Sequence, residues 1–376
     1  MDTENKITDN IKVSVIMPIY NAGEYLTRAI GDVLNQSLRE IELICIDDGS
    51  TDNSSKIIKK YQQTDNRVSV IRENNLGPSV ARNKGLELAR GQYMIFLDAD
   101  DFFEKDLLLD LYNTAERDNL DIAVTKFDIY NDSKDSFSLP AEEPHGNIYT
   151  PGGVTSKSVH PDFILSSTTG YVWNKLFRTS FIKDKELFFD PELYVFEDVC
   201  FVCSAMSLAE RVGRIDATYI HHRVYFEQSR SRLFRKYYDQ VPVVYGKLKK
   251  FLMSRGMYVP LKKSFLNLSA ERCLRIYNLL WADGKEKLWD LIHYEYVDEF
   301  NWIQHEKTDF ESLEVCEFVA NIALYTHREY IERMNQGKNV DVEQLDKEKL
   351  HKQIKAQEKT SRRRDLWNKI NIFKKK

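Results

Sequence analysis

From Lys12 to Met17 (KVSVIM) the chain is a short run of β-formers. Pro18-Ile19-Tyr20-Asn21 follows, and then Tyr25, Leu26, Ala29, Ile30, Val33 and Leu34 recur at helical spacing. The pattern predicts strand, turn and helix. It repeats at once: Ile41 to Ile46 (IELICI) reads as a strand, Asp47-Asp48-Gly49-Ser50-Thr51 as a turn, and Asp52 to Tyr61 as a helix that Ser50 or Thr51 would cap. Arg67 to Ile71 is a third strand, Pro78 and Gly91 bracket a helix, Tyr93 to Leu97 is a fourth strand, Lys105 to Arg117 a helix and Leu120 to Phe127 a fifth strand. Strands that are nearly continuous in apolar residues and alternate with helices predict an α/β fold, with a mostly parallel sheet covered by helices on both faces. Ligands on such sheets bind beyond the carboxyl ends of the strands. The loops there carry Pro18 to Asn21, Asp47 to Thr51 and Asp98 to Asp101, so polar chemistry gathers along one edge.

After Tyr130 the pattern loosens into a Ser/Pro/Gly-rich stretch reaching about Pro161. It resumes with Tyr171 to Phe177 (YVWNKLF), a helix near Glu197 to Leu208 and a strand-like Ala217 to Tyr225. From Leu233 onward the composition is helical. The expected organisation is a first domain over 1–230, with halves 12–128 and 129–230, then a helical domain over 231–350 and a basic tail over 351–376. No internal repeat is visible.

At 376 residues and 42% hydrophobic composition, the chain is long enough for two domains of roughly 150 residues, each with a core. No stretch approaches the ~18 apolar residues of a membrane span, and Met1 to Asn10 has no apolar signal core. The expected location is therefore the cytoplasm. Five cysteines are too few and too uneven for a disulfide framework. Cys200 and Cys203 form a C-x-x-C at helical spacing, without the second pair a metal site would need.

The charge is uneven. Of the net −4, the segment His351 to Lys376 holds ten Lys/Arg against Glu358 and Asp365, a charge of +8, which leaves −12 for the rest. So acidic a body excludes general nucleic-acid binding. In the tail, Leu366, Trp367, Ile370 and Phe373 recur at helical spacing among Arg362 to Arg364 and Lys369 to Lys376. That pattern suits an anionic membrane surface or a partner-packed final helix. The Tyr- and Leu-rich helices after Leu233 offer apolar faces that could pair two subunits into a homodimer.

Asp98-Ala99-Asp100 directly follows the strand Tyr93 to Leu97. In extended backbone, residues two apart point to one side, so both carboxylates can face one hard cation, Mn²⁺ or Mg²⁺, that takes its remaining ligands from water and phosphate. The alternative is a cap on the next helix, with Asp101 the better placed for it. Asp47 and Asp48 could bind a metal, accept hydrogen bonds from a base or ribose, or simply brace their own turn. No G-x-G-x-x-G follows the first strand and no G-x-x-x-x-G-K-[ST] occurs, which disfavours a dinucleotide dehydrogenase and a P-loop NTPase.

Taken together, VSVIMPIYNAGEYLTRAIGDVLNQS, IELICIDDGSTDNS and NNLGPSVARNKGLELARGQYMIFLDADD resemble the donor-binding half of family 2 inverting glycosyltransferases, which have the GT-A fold. The resemblance covers roughly residues 12 to 225. It implies that Pro18, Tyr20 and Asn21 line a nucleotide pocket, that Asp48 with Asp47 meets the base, and that Asp98 and Asp100, spaced by Ala99, hold ribose and metal. Asn74, Gly77 and Arg82 would edge the pocket, unless Arg82 and Asn83 only brace the helix start. Phe196-Glu197-Asp198-Val199 matches the family's acid pair, with Asp198 as the base and Glu197 orienting it or the acceptor; the alternative is that both acids merely favour a helix N-terminus. Trp173-Asn174-Lys175 is similar to the acceptor-side segment, although a core Trp is the commoner use. Among His221, His222 and Arg223 one would neutralise the diphosphate. The Gln-x-x-Arg-Trp string of processive synthases is absent, and Gln228 to Arg232 only partly matches it.

The implied activity is metal-dependent, inverting transfer of one hexose or N-acetylhexosamine from a UDP-sugar to a hydroxyl of a lipid- or protein-linked glycan in bacterial surface assembly. A sugar nucleotidyltransferase would need a Gly-rich, Arg-containing loop where Pro18 to Gly23 stands. A non-catalytic glycan-binding protein would not need Asp98, Asp100 and Asp198.

Overall fold

The computed structural model describes residues 10–140, 153–224 and 235–340. The chain divides into two compact units, Met1–Ser229 and Arg230–Lys376. Residues 351–376, where the basic amphipathic segment falls, lie outside the described residues.

In the first unit β1 (Val13–Ile19), α1 (Leu26–Leu34), β2 (Ile41–Asp47), α2 (Ser54–Thr64), β3 (Val68–Arg72), α3 (Pro78–Leu88) and β4 (Tyr93–Phe96) alternate as expected. Then come β5 (Phe102–Phe103), α4 (Leu107–Arg117), β6 (Ile122–Asn131), β7 (Ser136–Ser138), β8 (Val154–Thr155), β9 (Lys175–Arg178), α5 (Thr179–Asp184), α6 (Glu197–Leu208) and β10 (Val212–Val224). The sheet runs β3-β2-β1-β4-β9-β6-β10-β5, with β7 on β6 and β8 on β10. β2 is buried at every position and β1 at all but Pro18, which is why both read as unbroken apolar runs. Helix α1 buries Leu26, Ala29, Ile30, Val33 and Leu34 in the same core as Val13, Val15 and Leu43.

The parallel arrangement holds for β3-β2-β1-β4 and again for β6-β10. Between these blocks β9 runs antiparallel to both neighbours, Leu176 pairing with Ile95 on one side and with Ala123 on the other. A parallel return would need a crossover; β9 instead enters from the loop edge, so Tyr171 to Asn174 precede the strand instead of extending it. Two expected caps differ as well. The N-cap of α2 is Asn53, and Asp106, not Asp101, precedes α4. Helix α6 has the bounds the sequence predicts.

The second unit holds α7 (Gln240–Ser254), α8 (Lys262–Leu279), α9 (Ala282–Leu291), α10 (Leu313–Leu324) and α11 (His327–Asn335). Its buried rings include Trp289 and Trp302, whose indole N–H groups donate to the Tyr325 carbonyl (2.8 Å) and the Ser269 hydroxyl (3.0 Å), satisfying the one polar atom each carries. The five cysteines are free thiols. Among the described residues no helix is long and apolar enough to cross a membrane.

Candidate active site

The loops after β1, β2 and β4 lie side by side, and short side chains lock them together. Asn21, at φ +50°, accepts the Thr51 N–H on Oδ1 (2.8 Å), while its own N–H donates to Ser50 Oγ (3.1 Å). Asp52 receives the N–H groups of Gly23 and Ser54, both at 2.9 Å. Gly49 turns the chain at φ +78°, where an added Cβ would sit 3.0 Å from the Asn75 nitrogen; only glycine lets the two loops approach so closely. Tyr20 stands 51% exposed above this base.

Asp47 and Asp48 serve the scaffold. Asp47 is buried and accepts the Ser50 N–H (2.9 Å) and the Ser55 hydroxyl. Asp48 is 5% exposed and takes the Leu76 N–H on one oxygen (2.7 Å) and the Gly77 N–H on the other (2.8 Å). Both carboxylates are engaged within the loops, and Asp48 pins the segment Asn74 to Gly77 that leads into α3. Gly77 adopts φ +93° at the N-cap of α3.

Beyond β4, Asp98 and Asp100 are partly exposed while Ala99 is buried; the segment is a turn and not the extended backbone the sequence suggests, with the Asp101 N–H on the Asp98 carbonyl at 3.4 Å. Asp101 faces the opposite way. It is 1% exposed, accepts the Arg223 N–H at 2.9 Å and pairs with His222 Nδ1 at 3.1 Å. Burial alone would lower the His222 imidazole, but Asp101 overcomes it and pushes it up to about 9. Burial, then the charges of Asp101 and Asp98, hold Asp100 up at about 7.

Helix α6 brings the second pair of acids. Phe196, just before it, is held at φ +60°, ψ +21°, a left-handed conformation that costs a bulky residue about 1–2 kcal/mol and is paid where the aim of a helix start matters. Glu197 is buried and Asp198 partly exposed. One Asp198 oxygen accepts the Val199 N–H at 2.8 Å. Burial and the neighbouring Glu197 push Asp198 up to about 7, against the pull of Arg82. Arg82 joins the two sets: one terminal nitrogen lies 2.9 Å from Glu197 Oε1 and the other 3.4 Å from Asp98 Oδ1. Asn83, beside it, exchanges two hydrogen bonds with the backbone of Phe189, at 2.7 and 2.8 Å, so it braces the segment leading to α6 and not the start of its own helix.

The acceptor-side expectations need correcting. Trp173 is 2% exposed, edge-on to Phe127 at 4.6 Å and stacked with Tyr171 at 4.8 Å and His222 at 5.0 Å; it is core, not an open platform. Asn174 is buried, its amide donating to the Thr125 carbonyl at 3.0 Å. Lys175 is fully buried, and its ammonium donates to the carbonyls of Thr169 and Tyr171 and to Asn174 Oδ1 at 2.8, 2.6 and 2.7 Å. Burial pulls it down to about 7 while the charge of Asp198 pulls it back up. The exposed ring in this segment is Tyr171, which the sequence does not single out. Arg223 is buried against the rings of Tyr25, Phe102 and Tyr130, pairs with Asp132 and donates to the Asp100 carbonyl at 3.0 Å. It is spent on holding the loop. His221 is likewise engaged by Asp128 and Glu104, and His222 by Asp101.

Among the described residues no group of three or more His, Cys, Asp or Glu side chains is arranged to enclose a metal. Asp98 and Asp100 nonetheless offer hard oxygen donors where burial and neighbouring carboxylates hold Asp100 and Asp198 up at about 7. A divalent cation that keeps waters and takes phosphate oxygens fits that donor set.

The comparisons agree with this architecture. Residues 14–178, within the first unit, match Glycosyl transferase family 2. Among curated relatives, the uncharacterized glycosyltransferase EpsJ of Bacillus subtilis is 34% identical over 54% of this chain and 58% of its own length. The cholesterol galactosyltransferase of Borreliella burgdorferi is 34% identical over 56% of this chain and 59% of its own. The chain thus spans less than two thirds of the length of these relatives. Among solved structures, S. aureus TarS 1-349 in complex with UDP-GlcNAc superposes with TM-score 0.67 at 20% identity, covering 87% of this chain and 92% of that one. This likeness is one of fold, GT-A.

Proposed function

We propose that the first unit transfers one hexose or N-acetylhexosamine from a UDP-sugar to a hydroxyl of a glycan in bacterial surface polysaccharide or glycoprotein assembly, with inversion. The observation that carries this reading is the apposition of two acid pairs, one at the carboxyl end of β4 and one at the start of α6, bridged by Arg82. Tyr20 offers an exposed ring for a nucleobase, with Pro18 and Asn21 shaping the loop beneath it. Asp98 and Asp100 are the residues that would hold Mn²⁺ or Mg²⁺, which when bound offsets charge on a diphosphate. His222, cationic at neutral pH, stands beside them. Asp198 accepts the proton of the acceptor hydroxyl as that oxygen attacks the anomeric carbon; the bond to UDP breaks on the opposite face, and a single displacement inverts the centre.

Thermal unfolding with UDP-GlcNAc and other UDP-sugars, with and without Mn²⁺, tests the donor side. The wild-type Tm should rise with nucleotide sugar and Mn²⁺ together, and Asp100→Ala should lose most of the Mn²⁺-dependent part. Equal shifts in both proteins would remove Asp100 from the cation site.

The basic segment over 351–376 extends the reading to an anionic membrane carrying a lipid-linked acceptor, a setting in keeping with a relative named for its action on cholesterol. Anionic vesicles should sediment the full chain and leave behind a chain ending at Glu358. Equal sedimentation excludes the contact.

A further inference from the structure

Arg82 is 7% exposed, and its two terminal nitrogens serve different parts of the first unit. One reaches Glu197, 115 residues away, at 2.9 Å; the other reaches Asp98 at 3.4 Å. Its third nitrogen, Nε, is buried without a hydrogen-bond partner, so the two carboxylates are the hydrogen-bonding partners that hold the guanidinium. The helix that carries it is itself fastened to the approach to α6: Asn83 grips Phe189 through both backbone groups, and the Arg82 guanidinium lies 5.4 Å from the centre of the Phe189 ring. Phe189 is in turn stacked on Phe201 of α6 at 4.0 Å. The direction of the first turn of α6 is therefore set from α3.

The groups that act on Asp198 come from several elements. Glu197 is on its own helix, with the Val199 N–H beside it; Arg82 is on α3 and Asp98 on the loop after β4. Lys175, on β9, acts from its buried position. Lys175 is spent on three acceptors of its own, which leaves Arg82 as the cation that touches the acid next to Asp198.

We propose, resting on the glycosyltransferase reading above, that Arg82 is a positioning residue: its guanidinium ties the acid beyond β4 to the pair that opens α6, and so keeps the Asp198 carboxylate aimed into the site as an anion. Its geometry and its charge are separable. A lysine supplies the charge, but a single ammonium cannot fork between two carboxylates.

The test is UDP release from UDP-GlcNAc, UDP-glucose and UDP-galactose with Mn²⁺, followed from about pH 5.5 to 8.5 in the wild type, Arg82→Met and Arg82→Lys. Arg82→Met is expected to lower kcat about 100-fold, to change the donor KM by less than about threefold, and to move the acid limb of the kcat profile up by about one pH unit. Arg82→Lys should return the limb to its wild-type position while leaving kcat about tenfold low. An unmoved acid limb in Arg82→Met, or a loss confined to KM, overturns the proposal.

If the wild type releases UDP from none of these donors, the functional reading is what fails. The structural link is then decided by Tm values of Arg82→Met, Glu197→Gln and the double variant. Losses that are less than additive keep the link, and additive losses break it.

Discussion

Asp198→Asn is expected to slow glycosyl transfer by about 100- to 10,000-fold, the range a positioned general base supplies. Asparagine keeps the size of the side chain and an oxygen to accept the Val199 N–H, now bonded at 2.8 Å, so the helix start survives. Two pH effects separate lost chemistry from lost structure. A base must be ionised to act, and burial with Glu197 alongside raises Asp198 to about 7; wild-type kcat should therefore fall about tenfold per pH unit below that point. For stability the sign runs the other way. Between the ordinary 3.8 and about 7 the folded protein binds the proton and the unfolded chain does not, so this group costs stability as pH rises through that window, and the cost is complete above it. Asparagine does not ionise. The inactive variant should melt above the wild type at about pH 8, the gap closing towards pH 4. A wild type that melts higher at alkaline pH would contradict the burial that raises Asp198.

Trp173→Ala should cost about 3–5 kcal/mol of stability in the first unit. The indole is 2% exposed and wedged among Phe127, Tyr171 and His222, so truncation leaves a hole that Phe127, fixed on β6, cannot move to fill. Urea unfolding should show a lowered midpoint with an unchanged slope, and Trp173→Phe should recover part of the loss. The nucleotide-dependent rise in Tm should persist in the folded variant, because the indole is part of the wall behind the site. A variant that keeps its full urea midpoint yet no longer transfers sugar would make Trp173 a contact for the acceptor after all.

What the sequence reveals, and what it hides, follows the range of the interactions involved. Strand–helix alternation through Phe96 and the limits of α6 at Glu197 and Leu208 come from local spacing, and the structure has both; Asp98 and Asp100 are partly exposed around a buried Ala99, but in a turn and not in extended backbone. The role of an acid is harder to read. Asp47 and Asp48 look like ligands in the sequence and Asp101 like a helix cap, but backbone N–H groups, a hydroxyl and an imidazole engage their oxygens. Two of those partners of Asp48 lie 28 and 29 residues away, and no periodicity reports them. Trp173 is hidden by Phe127 and His222 from two other strands, and the tie from Arg82 to Glu197 spans the whole insertion between them. The left-handed turn at Phe196 leaves no sequence trace, since glycine or asparagine would be the expected occupant.

The reversed direction of β9 bears on how such a catalyst can diversify. Its second residue, Leu176, pairs with Ile95, one residue short of the end of β4, so the residues entering β9 lie near the loop that carries Asp98 and Asp100, whereas those leaving it do not. Exchanges at the exposed Tyr171, just before the strand, alter that flank and leave the strand order, Asp98, Asp100 and the start of α6 in place. A lineage built on this plan can change its clientele by editing one stretch of surface chain, while the acids beyond β4 and at the start of α6 are inherited unchanged.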